Sequence, residues 1–195
     1  MRTPQQERSR LTQQRLLGST VDCLVEYGWA GTTTTLIAEK AGVSRGAQLH
    51  HYPTKAALVL AAVEHLARRR AEEIRAEAAA LPVRRLDQTL DLLAGAFTGP
   101  LYRAALEVWV AARTDPALRA ALVPIEARVG REMHRLAVDL LGADESRPQV
   151  REAVQATLDL LRGLGVANLL SDDSSRRRAI LAMWRDRLGA LLEPA

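Results

Sequence analysis

The chain has 195 residues and a net charge of +4, and Ala and Leu supply 33 and 31 of its positions. At this length folding removes roughly 70% of the unfolded surface from water, so the core needs no staple. The single cysteine, Cys23, excludes both a disulfide framework and a cysteine-built zinc site. Val, Ile and Thr total only 30 residues and the aromatics 7, a balance that favours helix over sheet. No run of about 18 uncharged apolar residues is present, and the opening segment MRTPQQERSRLTQQR lacks the apolar stretch of a signal peptide. The expectation is an all-α, soluble, cytoplasmic protein with no membrane span.

Charge is unevenly placed. Residues 1–55 hold seven Lys or Arg against four Asp or Glu, whereas the remainder hold 20 against 19. A basic terminal module on a near-neutral body suits a polyanion-binding head, and equally a solvated surface.

In chain order, residues 1–10 read as frayed. Leu17, Val21, Leu24 and Val25 recur at helical spacing in a helix from about Ser9 to Tyr27, with Gly28 as a left-handed C-cap. Thr33 reads as the N-cap of a short helix from Thr34 to Ala41, which turns Ile37, Ala38 and Ala41 to one side. Gly42 stops it, Val43 plugs the turn, and Ser44 caps a third short helix ending near His51. Pro53 ends that helix, and Thr54 caps a long one from Lys55 to about Ala80. Breaks follow at Leu81-Pro82, Gly99-Pro100 and Asp115-Pro116. They delimit helices near 84–98, 101–114 and 116–141, the last with Pro124 inside, which predicts a kink or a split. Helices near 148–170 and 174–192 close the chain. Residues 1–54 and 55–195 thus read as two functional parts.

The segment Thr33–Tyr52 is a helix, a glycine-bearing turn and a second helix, with a small residue, Ala38, at the crossing. That is the layout of a helix-turn-helix. The full string TTTTLIAEKAGVSRGAQLHHYPTKAAL resembles the N-terminal domain of TetR-family transcriptional regulators. The resemblance rests on Thr33, Ile37, Ala38, Ala41, Gly42, Val43, Ser44, Gly46, the pair His51-Tyr52 and Lys55, and covers about residues 9–66. It implies an N-terminal three-helix DNA-binding head on a C-terminal helical body that binds a ligand and dimerises.

The resemblance further implies groove contacts from Arg45, Gly46, Ala47, Leu49 and His50. Thr33 and Thr34 would meet the DNA backbone, and His51, Tyr52 and Lys55 would hold phosphates. Arg45 can reach the O6 and N7 of a guanine. Arg45, Ala47, His50 and Gln48 are the side chains placed to read sequence. The chain departs from the family at Gln48-Leu49, where an apolar residue followed by Tyr is usual, and Leu49 is expected to supply the apolar contact.

In the body, the stripes Val150, Val154, Leu158, Leu161, Gly165 and Ile180, Trp184, Leu188, Leu191 suit either packing within the chain or a four-helix dimer interface. The interface is the expectation, with Val154, Leu158, Leu161, Gly165, Ile180, Trp184 and Leu188 in it. As implied by the resemblance, Phe97, Tyr102, Trp109, Met133 and His134 would wall a pocket, with Arg103, Glu107 or His134 as polar anchors. Aromatics at helical spacing also read as core.

The sequence predicts no cofactor and no metal. A di-iron bundle needs Glu three residues before His, a spacing met by none of His50, His51, His65 and His134. Phosphate-loop and nucleophile-elbow patterns are missing too. A pure helical interaction module accounts for the body but not for the Thr33–Lys55 string. The expected function is a repressor that binds a palindromic double-stranded DNA operator as a homodimer and is released by a small-molecule effector.

Overall fold

The computed structural model describes residues 4–81 and 85–193, which form helices joined by turns with no strand among them. The helices are α1 (Pro4–Gly31), α2 (Thr34–Ala41), α3 (Arg45–His51), α4 (Lys55–Ala79), α5 (Leu86–Ala94), α6 (Pro100–Ala112), α7 (Pro116–Leu141), α8 (Val150–Ala167) and α9 (Ser174–Leu192), with a 3-10 turn at Gly95–Phe97. Among the described residues no helix is long and apolar enough to cross a membrane. The Pro82 break and the onset of a helix at residue 84 lie outside the described residues.

Packing divides the chain into two compact units: residues 1–68 with 100–128, and residues 69–99 with 129–195. These packing boundaries fall inside α4 and α7, because α6 packs along α1.

In the first unit, Leu16, Leu17, Cys23, Ile37, Ala41, Leu58 and Ala62 form a buried cluster, sealed by Leu36, Val43, Tyr52 and Ala61. Each large apolar side chain in it contributes about 1.5–3 kcal/mol by leaving water. Val25, expected on the inward stripe, is exposed, while Leu16 on another side of the helix is buried. The ends of α2 and α3 follow local chemistry. Thr33 Oγ1 accepts from Leu36 N at 3.1 Å, and Ser44 Oγ from Ala47 N at 3.2 Å. Between them Gly42 adopts φ 62°, ψ 38°, the left-handed conformation that turns the chain from α2 into α3. Thr54 Oγ1 accepts from Ala57 N at 3.0 Å and caps α4.

Two expectations change here. The first helix starts at Pro4, so residues 4–10 are helical, and it continues past Gly28 to Gly31 across a kink. Gly28 does have positive φ (63°), but its ψ of −177° makes it a mid-helix bend, not a left-handed cap. Nor does Pro124 split α7. Its neighbours Leu118, Leu122 and Ile125 are buried and hold the helix, while Pro124 and the Ala120 carbonyl that loses its donor lie on the exposed side.

In the second unit, α5 buries Thr89, Leu90, Leu93 and Ala94, and α8 lies against α5 and α9. Leu90, Ala153 and Leu188 are its buried centre, with Leu86, Leu141, Trp184, Leu191 and Leu192 around them. The Arg147 guanidinium donates to the Leu192 and Glu193 carbonyls and closes the end of α9.

The Gly28 conformation belongs to a region of backbone space that is essentially glycine-only. Gly28→Ala is therefore expected to lower unfolding free energy by about 1–3 kcal/mol, read from the denaturant midpoint of the full chain.

Candidate nucleic-acid interface

The helix α3 is only seven residues long, and its facing follows from which side chains it can bury. Gln48 is fully buried; Arg45, Gly46, Leu49 and His50 are exposed, and Ala47 and His51 flank them half-buried. At helical spacing the four exposed positions share one side, opposite Gln48. The inward contact expected of Leu49 is thus made by Gln48, and Leu49 stands 45% exposed. Gln48 consequently cannot read a base, since its amide lies under α3. Its Nε2 donates to the Tyr52 carbonyl at 2.6 Å, while its Oε1 is buried with no hydrogen-bond partner among the described residues.

Arg45, Gly46, Ala47 and His50 therefore lie on or beside the face available to a groove. Gly46 has open space around it, which keeps the helix surface low beside Arg45. His51 stacks edge-on with His50 at 5.4 Å, and the Gln13 amide of α1 donates to its Nδ1 at 3.4 Å. Tyr52 packs on the first core cluster, and burial pushes its hydroxyl pKa up. Thr33 is exposed and Thr34 half-exposed at the start of α2. Of the two lysines, Lys40 is tied to Glu26 at 2.7 Å.

Lys55 is not a free surface cation. Its Nζ donates to the Trp29 carbonyl and lies 4.1 Å from the centroid of the Trp29 ring, and burial pushes its pKa down. The Trp29 N–H in turn donates to Glu107 Oε2 of α6 at 3.1 Å. Trp29 had no signal in the sequence beyond its place after Gly28, and Glu107 makes this backbone contact where a ligand anchor was expected.

The residues expected around a ligand divide between the two units. In the first, Tyr102 is buried and meets Trp109 edge-on at 6.1 Å, while Arg103 is exposed. In the second, Phe97 is buried with the Arg162 guanidinium 5.8 Å from its ring centroid, Met133 is half-buried, and His134 Nε2 is hydrogen-bonded to Glu145 Oε1 at 2.7 Å. A depression of about 370 Å³ in the first unit is lined by other residues, among them Arg113, Arg119 and Val123.

Most of the expected dimer stripe is covered within the single chain. Val154, Leu158, Leu161, Gly165 and Leu188 are all buried inside the single chain. Trp184 is held inward, its Nε1 donating to Thr157 Oγ1 at 2.9 Å, and Ile180 is half-buried. An apolar stripe at helical spacing is equally good at covering its own core, as Val154, Leu158, Leu161 and Leu188 do here.

Residues 16–62 match the sequence pattern of the bacterial regulatory proteins of the tetR family. The HTH-type transcriptional regulator CymR of Pseudomonas putida is 36% identical over 198 residues, a match covering 95% of each protein. Among solved structures the chain is similar to GusR of Salmonella enterica (TM-score 0.67, 18% identity, 93% of this chain and 95% of that one). It is also similar to the multidrug binding protein EbrR complexed with ethidium (TM-score 0.61, 22% identity, 89% and 97%). The chain belongs to the TetR family and is a DNA-binding transcriptional regulator with a helix-turn-helix at its N-terminus.

A buried amide oxygen without a partner costs about 1–3 kcal/mol. Gln48→Leu removes that group and is expected to raise the thermal midpoint of the full chain, with the exposed face of α3 unchanged. A lower midpoint would mean that the Nε2 bond to Tyr52 outweighs the orphaned oxygen.

Proposed function

We propose that the protein is a ligand-responsive repressor that binds a palindromic operator as a homodimer in the cytoplasm. Residues 1–54 act as the reading head and 55–195 as the regulatory and dimerising body. The observation that carries the reading is the facing of α3: Arg45, Gly46, Leu49 and His50 outward, Gln48 inward. An α-helix fits the major groove, where each base pair shows a distinct donor and acceptor pattern. Arg45 supplies a fork for a guanine edge, Ala47 and Leu49 supply apolar contact for a thymine methyl, and His50 hydrogen-bonds a base or a phosphate. Thr33, Thr34, His51, Tyr52 and the N-terminus of α4 at Lys55 set register on the backbone.

One head of this size presents few cations, whereas two heads on a two-fold axis double the charge and read paired half-sites. With the inward faces of α8 and α9 occupied, the dimer uses their outward faces. Ala156, Gly163 and Val166 share one side of α8, and Met183 stands out from α9; Val166 and Met183 are 45% and 57% exposed. The small residues permit close helix approach, and the apolar ones gain by burial. The effector is a small molecule held by the body, in keeping with the ethidium complex of EbrR. It lowers operator affinity through its differential affinity for the two body conformations, a coupling of about 1–3 kcal/mol.

Selection of bound duplexes from a random pool is expected to return an inverted repeat; recovery of no enriched sequence would remove the reading. Arg45→Ala is expected to cost about 1–3 kcal/mol of discrimination at one base pair per half-site and to leave the dimer intact, checked by competition between operator and scrambled duplex. Val166→Arg combined with Met183→Arg is expected to give monomers in light scattering with unchanged helicity; dimers that persist would place the interface elsewhere.

A further inference from the structure

We propose that Glu107 of α6 is a positioning residue for the DNA-facing surface, acting through the Trp29 peptide on the Lys55 ammonium. The inference rests on the reading that the start of α4 meets a phosphate. All of its residues lie in the first packing unit.

The device begins with a glycine. Gly28, at φ 63° and ψ −177°, bends α1, and the Trp29 N–H that follows is satisfied by Glu107 Oε2 at 3.1 Å. A Cβ on residue 28 would stand 2.9 Å from that same carboxylate oxygen, so the Glu107 side chain would have to shift to make room for it. The other end of the Trp29 residue is engaged as well. Its carbonyl accepts from Lys55 Nζ, and its ring lies under the ammonium at 4.1 Å. Trp29 is therefore held by α6 through its N–H and holds the first residue of α4 through its carbonyl and its π-face.

Two consequences follow for the cation. The carbonyl and the ring restrain an otherwise flexible four-carbon stem, so the remaining ammonium hydrogens leave in a restricted set of directions. Partial burial also takes away competing water, which strengthens any phosphate contact the ammonium makes. Lys55 lies three residues beyond Tyr52, the C-cap of α3, so a phosphate held there fixes the register of the recognition helix. A shift of α6 that withdraws Glu107 releases Trp29 and loosens Lys55, which links the body helix to the backbone contact without moving α3 itself.

The test uses the full-length protein and the duplex selected by the wild type, with affinity measured across a salt series. Each phosphate contact contributes about 0.9 to the log–log salt slope. Glu107→Ala is expected to weaken binding and to flatten the slope by up to about two for a dimer losing one Lys55 contact per head. Glu107→Gln, whose amide oxygen still accepts from Trp29 N–H, is expected to restore the wild-type slope. Lys55→Met is expected to flatten it to the same extent, with no additional change when combined with Glu107→Ala. Circular dichroism at the assay temperature separates lost binding from lost folding; if Glu107→Ala unfolds, the same comparison is made with Glu107→Ser. A wild-type slope in the folded Glu107 variant, or losses from Glu107 and Lys55 that simply add, would overturn the proposal. A wild-type chain that binds no duplex would instead remove the DNA reading beneath it.

Discussion

A helix of two turns cannot hold its own orientation. At seven residues α3 is below the length at which an isolated helix persists in water, so its facing is imposed by what lies around it. Three restraints do this: the left-handed Gly42 that sets the exit from α2, the Ser44 hydroxyl that starts the helix, and Gln48, which fills the inward position. Arg45, Leu49 and His50 face water as a result, and the assignment of a DNA-reading surface depends on that outcome.

The inward residue is chemically the least expected one. An amide under a recognition helix provides volume and one hydrogen bond to the Tyr52 carbonyl, but it leaves an oxygen unsatisfied. Leucine would fill the site without that cost. The amide thus sets one hydrogen bond made against one left unmade. The cluster of Leu16, Leu17, Ile37 and Leu58 beneath it carries the stability instead.

Legibility in the sequence follows the range of the interaction. Thr33, Gly42, Ser44, Pro53 and Thr54 act within three or four residues of themselves, and the caps and turns they predict are present. Of the body helices, α6 and α7 begin at Pro100 and Pro116, and all four from α6 to α9 fall near their expected places. What escaped is set by partners distant in the chain. Gln48 went inward because α3 is too short for periodicity to mark a face. Val154, Leu158 and Leu161 are buried within the chain, and spacing alone cannot say whose core such a stripe covers. The Glu107–Trp29 contact joins residues 78 positions apart, and no local pattern announces it. Pro124 kept its helix because the lost hydrogen bond lies on the solvent side.

Cys23, the chain's sole thiol, sits with no exposed surface in the same cluster as Ile37 and Leu58, and burial raises its pKa. Alkylating reagents need both access and a thiolate, so in the closed head it is inert twice over. Its modification rate is therefore a built-in reporter of how often the cluster around it opens, requiring no engineered probe.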